Sequence, residues 1–251
     1  MLQLDLVFFA LACPAVVFAG VSKGGFGSGA AFVSGAILAI RLDPGVALAV
    51  MLPLLMLIDV ATLGPYWRKW STRDALVLIV GGVPGVALGT LLFRSANDDV
   101  LRFLIGAISL AFVAWQMGKA RGWIAPAKRK LRGWAGLAWG AVAGFTSFVS
   151  HAGGPPAAVY LLSQKLSKTQ YQATSVLVFW AINLAKFVPY AALGLFTWDT
   201  TVANVALAPF ALAGAWLGVV AHRKVPERLF FGLTYVLLTL TGVKLIWDAL
   251  T

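Results

Sequence analysis

The sequence predicts an all-α polytopic membrane protein built as two inverted repeats, each a broken-helix hairpin followed by three transmembrane helices. Three observations predict it. The 251 residues are 60% hydrophobic and 12% charged, with a mean hydropathy of +0.87, whereas a soluble domain carries about 25% charged residues. Long charge-free runs follow one another: 6–22, 24–40, 75–93, 133–164 (His151 apart), 169–185 and 200–221 hold no Asp, Glu, Lys or Arg. Several approach the roughly 20 apolar residues that a bilayer crossing needs. Finally, the chain repeats itself at a shift of 127 residues, which lays "SGAAF" (28–32) on "PPAAV" (155–159), Arg41 on Lys168 and the apolar run 46–64 on 173–191. A shift of 129 lays "LGTLLFR" (88–94) on "LGVVAHR" (217–223). The polar–apolar alternation of a β-barrel is absent.

The first repeat, 1–117, reads as two short helices, 4–20 and 28–40, separated by a glycine-rich break, then longer helices at 45–64, 75–93 and 99–117. The start, "MLQLDLVFF", lacks a basic region and reads as part of the first helix, not as a cleaved signal. Residues 118–133, "GKARGWIAPAKRKLRG", form a linker with six cations and no acid. The second repeat, 134–251, follows the same plan: helices at 134–149 and 155–164 around a Gly/Pro break, then 171–195, 202–222 and 228–248.

Charge sets the orientation. The net charge is +11, and the cations lie in short loops, where they fix topology and do not form a nucleic-acid footprint. A polybasic loop has a secondary attraction for anionic lipid. The positive-inside rule makes the linker cytoplasmic. If each short-helix pair is a hairpin that leaves on the side it entered, the loops 65–74 (Arg68, Lys69, Arg73), 163–169 (Lys165, Lys168) and 222–228 (Arg223, Lys224, Arg228) all join the linker on that side. The cation-free loop 196–201, "FTWDTT", then lies outside. If each pair is one kinked crossing, the loops near Lys165 and Arg223 face outside instead. The hairpin arrangement fits the charges better, and it inverts the halves relative to each other.

Broken helices in corresponding places of two repeats mark the site of a secondary transporter. A break at membrane depth is tolerated only where it is buried in protein or lines a cavity. The first break, "GVSKGGFGSGA" (20–30), offers glycines that bring backbone amides close to a ligand, the hydroxyls of Ser22 and Ser28, and the charge of Lys23. A helix starting near 27–30 would present free N–H groups to an anion. In the second, "FVSHAGGPPAAVY" (148–160), Pro155 and Pro156 suit the first turn of a helix, Gly153 and Gly154 permit a tight turn, and Ser150 and His151 add donors. His151 suits oxyanion binding or proton transfer. Two charges interrupt longer helices, Asp59 in "LLMLIDVATL" and Lys186 in "WAINLAKFVPY", at equivalent places under the 127 shift. Ionisable residues at membrane depth are functional candidates. They are expected on opposite sides of the midplane, each about 6 Å past its helix centre, so no direct salt bridge is implied. Asn183 shares a face with Lys186.

Other features read as structure. Gly81, Gly85 and Gly89, like Gly136, Gly140 and Gly144, recur every four residues and suit close helix packing. Trp67, Trp70, Trp123 and Trp134 flank basic loops as interfacial anchors. The one cysteine, Cys13, excludes an internal disulfide and reads as packing. No metal or other cofactor is expected. "GGFGSG" lacks the βαβ context of a dinucleotide fingerprint, and there is no Walker lysine–serine pair. An intramembrane enzyme would need acids, a nucleophile or metal ligands converging on His151, and the second histidine, His222, lies by a loop.

The chain resembles the sulfite exporter TauE/SafE family. The resemblance rests on "GVSKGGFGSGA" after the first apolar helix and on "GFTSFVSHAGGPPAAVYLL" opening the second half, and it extends over nearly the whole chain in repeat order and length. It implies movement of small anions, notably sulfite, sulfonates and related sulfur compounds. The motif positions it marks are Lys23, Gly24, Gly25, Gly27, Ser28, His151, Gly153, Gly154, Pro155 and Pro156. The expected activity is export of such an anion by alternating access around Ser22, Lys23, Gly24, Gly25, Gly27, Ser28, Ser150, His151, Gly153, Gly154, Pro155, Asn183 and Lys186, with Asp59 and His151 as coupling candidates. A negative interior drives an anion outward by about 2.3 kcal/mol per charge per 100 mV. The alternatives are import, a channel for another small anion, or a membrane protein that transports nothing. The expected partners are a small anion and the lipid bilayer, with no nucleic acid. A homo-oligomer is left open.

Overall fold

The computed structural model describes residues 4–26, 30–124, 129–221 and 227–251. These residues form helices and loops and contain no strand. In chain order the helices are α1 Leu6–Gly25, α2 Val33–Ala39, α3 Pro44–Leu63, α4 Thr72–Ser95, α5 Asp98–Ala120, α6 Gly133–Ser150, α7 Gly154–Ser163, α8 Lys168–Ala192, α9 Trp198–Ala221 and α10 Glu227–Leu250. Seven of them, α1, α3, α4, α5, α8, α9 and α10, are long and apolar enough to cross a membrane.

Local chemistry sets several ends. Asp5 caps α1, accepting from the Phe8 amide at 2.8 Å. That bond, together with the Arg41 guanidinium, holds the Asp5 carboxyl below the ordinary carboxylate range. Asn97 caps α5 through the Val100 amide at 2.9 Å. Ser167 and Gln170 form a reciprocal capping box at α8. Pro44 and the Pro155–Pro156 pair stand in the first turns of α3 and α7, where a missing N–H costs no helical bond.

The first break differs from the sequence expectation. Helix α1 does not end near Gly20 but continues through Gly25, and the next helix starts at Val33 instead of near 28. The reason is packing. A Cβ on Gly20 would lie 2.6 Å from the Ala215 amide nitrogen, and one on Gly24 2.5 Å from the Ala215 carbonyl oxygen. Returning the contact, a Cβ on Gly214 would lie 2.5 Å from the Val17 carbonyl oxygen. These glycines let the α1 and α9 backbones touch, which outweighs the roughly 1 kcal/mol that glycine costs inside a helix. The predicted ladders behave in the same way. Gly81 and Gly85 face the Leu137 and Ala141 carbonyls of α6, and Gly140 and Gly144 face the Leu78 and Gly82 carbonyls of α4.

The two ends of each short-helix pair lie close together. In the first, Arg41 beyond α2 meets Asp5 ahead of α1 at 2.6 Å. In the second, the Leu131 amide ahead of α6 donates to Ser163 Oγ at the end of α7 (3.3 Å), and Gln164 Nε2 donates to the Leu131 carbonyl at 3.1 Å. Helix α3 is the most enclosed span, with 61% of its apolar window buried. Helix α1 of the first hairpin packs chiefly on α9 and α6 of the second chiefly on α4, with α3 and α8 in contact with each other between them.

Candidate functional site

A helix ends with carbonyls that have no partner in the helix. At the ends of α1 and α6 these carbonyls recruit side chains. At α1, Gln172 Nε2 donates to the Lys23 carbonyl at 2.6 Å and the Tyr66 hydroxyl to the Gly24 carbonyl at 2.8 Å. At α6, Lys186 Nζ donates to the Ser147 carbonyl at 2.9 Å and the Tyr190 hydroxyl to the Phe148 carbonyl at 2.6 Å. Helix α8 supplies a donor at both ends.

Charged side chains meet at the same two places. Lys23 Nζ lies 2.6 Å from Asp59 Oδ1, reaching from α1 to α3. Asn183 Nδ2 of α8 donates to Asp59 Oδ2 at 2.7 Å. One turn further along α8, Lys186 Nζ lies 2.8 Å from His151 Nδ1, and His151 Nε2 lies 3.3 Å from the Leu48 carbonyl. A carbonyl only accepts, so Nε2 carries the proton and Nδ1 offers its lone pair to the Lys186 ammonium. With Lys186 charged, His151 is then the neutral tautomer. Asp59 and Leu48 are eleven residues apart on α3, about 16 Å of helix. A polar ladder thus runs through the protein: Gln172, Lys23, Asp59, Asn183, then Lys186 and His151.

The ladder is dry and unequal in charge. Asp59 and Lys186 are each 0% exposed, and Lys23, Asn183 and His151 are buried. Lys23 is matched by Asp59. Lys186 directly contacts two neutral acceptors and the negative end of α6; among the described residues no carboxylate forms a salt bridge with it, and Asp59 acts on it only from farther off. With both lysines charged, the group holds one more cation than anion. An ammonium has three donors, and two are in use. This arrangement can complete itself with an anion, or hand a proton between Lys186 and His151.

His151 occupies a strained position. It closes α6 with φ at 57°, in the left-handed region that non-glycine residues adopt at a cost of about 1–2 kcal/mol. The expectation that Gly153 makes this turn is corrected: Gly153 has ordinary helical angles, and its missing side chain admits the Ala143 carbonyl and the Phe179 ring. The Ser150 hydroxyl bonds back to the Thr146 carbonyl at 3.0 Å and so turns into its own helix. Ser22, Lys23, Gly24 and Gly25 lie buried in the last turns of α1, with Gly24 and Gly25 against α9. Gly154 and Pro155 open α7. Gly27, Ser28 and the loop cations Lys128, Arg223 and Lys224 lie outside the described residues, as does His222. Among the described residues no three His, Cys, Asp or Glu side chains gather as a metal would require.

The sequence model of the family described as "Sulfite exporter TauE/SafE" matches residues 12–245, nearly the whole chain. The chain belongs to the sulfite exporter TauE/SafE family. No curated protein and no solved structure matches it. TauE/SafE is a family of transporters for sulfite and related anions, and with seven apolar spans the chain is a multi-pass membrane protein of the cell.

Sequence reasoning missed Gln172, Tyr66 and Tyr190. Tyr190 carried a signal: it stands four residues after Lys186, on the same helical face. Gln172 also carried one, as a polar residue one turn into a charge-free run. Nothing in the sequence joined Tyr66 to Gly24.

Proposed function

We propose that the chain is a secondary transporter, not an enzyme, that carries a small sulfur-containing anion, sulfite or a sulfonate-type ion, out of the cell by alternating access of two inverted repeats. The observation that carries the reading is Lys186, a fully buried lysine whose direct contacts are neutral while the neighbouring carboxylate is matched to Lys23. A charge at membrane depth marks a substrate path unless it is paired. Lys186 and Lys23, the hydroxyl of Ser22, His151 and the first turn of α7 at Gly154 and Pro155 form the proposed anion site. Asp59 and His151 are its coupling candidates. Asp59 holds Lys23 in place, and His151 can take the proton that Lys186 releases.

Inverted topology is supported by the two hairpin closures. Helix α3 starts beside the Asp5–Arg41 closure, and past its other end Tyr66 reaches the end of α1. Chain order through α4 and α5 then brings α6 in from the Tyr66 side, where Leu131 and Ser163 close the second hairpin. The two hairpins thus enter from opposite faces. Equivalent positions 59 and 186 bond to the ends of α1 and α6, one as an acid and the other as a base.

The test is current from purified protein in liposomes after a sulfite concentration jump, with sulfate and an organic sulfonate beside it. Saturable current that disappears in His151→Ala and Lys23→Ala, while both variants stay folded, is expected. Normal transport by both variants would remove the site assignment. Silence with every anion, in current and in internal pH, would remove the substrate.

A further inference from the structure

A cavity of about 500 Å³ opens at the linker end of the bundle, enclosed by the end of α1, by α5, α7, α8 and by Phe231 of α10. Its charged lining is Lys119 of α5 and Lys168 of α8, accompanied by Gln116 and Tyr171 and by no acid among the described residues. Lys168 also stands in the first turn of α8, whose positive dipole end adds to the same field. The cavity continues into a second hollow of about 200 Å³ between α5, α6 and α7, and Phe112, Trp115, Pro155 and Val159 line both.

The second hollow is apolar. Ile108, Ala111 and Trp139 form its walls, and its one hydroxyl, Thr146, bonds to the Val142 and Ala152 carbonyls at 2.8 and 3.0 Å. It has room for about seven water-sized groups at roughly 30 Å³ each, the bulk of a short stretch of acyl chain. From Lys119 to Ile108 is eleven residues of α5, about 16 Å, close to half of a hydrocarbon core of about 30 Å. A four-atom oxyanion needs neither that depth nor those walls. Trp115, 37% exposed, lines both spaces.

We propose that cavity and hollow together hold one anionic phospholipid of the linker-side leaflet. Its phosphate sits towards Lys119 and Lys168, and one acyl chain lies between α5 and α7. Basic pockets between membrane helices bind anionic headgroups in this way. The lipid packs against Pro155 and Val159 and so braces the hairpin that carries His151. Pro155 borders both this space and the proposed anion site, so the lipid lies beside that site.

The experiment compares thermal unfolding in nanodiscs of phosphatidylcholine with unfolding in an equimolar mixture of phosphatidylcholine and phosphatidylglycerol. Native mass spectrometry of the same samples counts retained lipid. Phosphatidylglycerol is expected to raise the midpoint by about 2–4 °C, the shift a modest ligand gives a chain of this size, and to leave one retained lipid. The double variant Lys119→Gln, Lys168→Gln is expected to lose both effects while keeping its midpoint in phosphatidylcholine. If that midpoint falls as well, the lipid count alone decides. No rise and no retained lipid in the parent protein would overturn the site. A full response in the double variant would also overturn it, as would a rise reproduced by inorganic phosphate without phosphatidylglycerol. None of these outcomes depends on the sulfite current.

Discussion

Asn183 of the second half donates a 2.7 Å hydrogen bond to Asp59 of the first, inside the dry centre of the protein. It is one of the steps at which the polar ladder crosses between the halves, the bond from Gln172 to the Lys23 carbonyl being another. It also leaves Asp59 with a partner on each oxygen, since Lys23 holds the other. Replacing Asn183 by Leu keeps the volume and removes the donor, so Asp59 Oδ2 becomes a buried acceptor without a bond. That costs about 1–3 kcal/mol. Thermal unfolding in detergent should show the loss, and Asn183→Gln should recover part of it. Unchanged stability in Asn183→Leu would mean that the bond does not bear on the fold.

The Lys23–Asp59 pair predicts a non-additive cycle. Asp59→Asn leaves the Lys23 ammonium buried without its counter-ion, a change worth about 3–5 kcal/mol. Lys23→Met leaves the carboxylate in the same condition. Removing both charges together, as Lys23→Met with Asp59→Asn, is expected to be less destabilising than either single change. A double variant as unstable as the sum of the singles would show that the two side chains act separately.

Lys186 predicts the opposite separation of fold and function. Lys186→Met removes the unmatched cation and leaves two neutral acceptors, the Ser147 carbonyl and His151 Nδ1. Losing the buried cation offsets part of the cost of leaving His151 Nδ1 without a donor, which is about 1–3 kcal/mol. Sulfite-dependent current is expected to fall to background while the melting temperature falls by no more than that cost implies. A variant that still transports would shift the anion site towards Lys23.

Much of this was legible in the sequence. Charge-free runs gave the spans, because only a helix satisfies its own backbone in lipid, and the 127 shift pointed to Asp59 and Lys186 as a matched pair. The ladders at Gly81 and Gly136 pointed to close helix packing, and the structure supplies the partners, α4 and α6. Three things were hidden. The glycines of "GVSKGG" look the same whether they break a helix or let another helix touch it, and only the position of α9 decides between these. The partner of Lys23 is 36 residues further along, since Asp59 reaches it across helices, and no local period encodes that. The left-handed turn falls on His151 and not on the adjacent glycines, against ordinary residue preference.

That ambiguity at the first break can be resolved by substitution. If Gly24 serves packing, as its contact with the Ala215 carbonyl requires, then Gly24→Leu forces α1 away from α9. The added side chain has no space, and overpacking costs about 1–3 kcal/mol or more. Folded yield and melting temperature should both fall. If Gly24 instead approaches the substrate, the variant would fold normally and lose only transport. Melting and current measured on the same preparation tell these apart.

The hairpin topology makes the most direct prediction of all. Lys69, between α3 and α4, and Trp198, at the start of α9, are both exposed. Chain order places them at opposite ends of the bundle. Lys69 adjoins Tyr66, which meets the end of α1, and Trp198 follows α8 at the end away from Ser167. With Cys13 replaced by Ala, a cysteine at Lys69 should react with a membrane-impermeant maleimide only after the cells are opened, because the cation-rich loops face the cytoplasm. A cysteine at Trp198 should react in intact cells. Reversal of both would keep the fold and invert the protein, turning the linker side outward. Labelling of both positions from one side would mean that α6 and α7 together make one crossing, or that one of α4, α5 and α8 does not cross, and the inverted arrangement of the two hairpins would fail. Alternating access between inverted halves would lose its geometric basis in that case, whatever the anion.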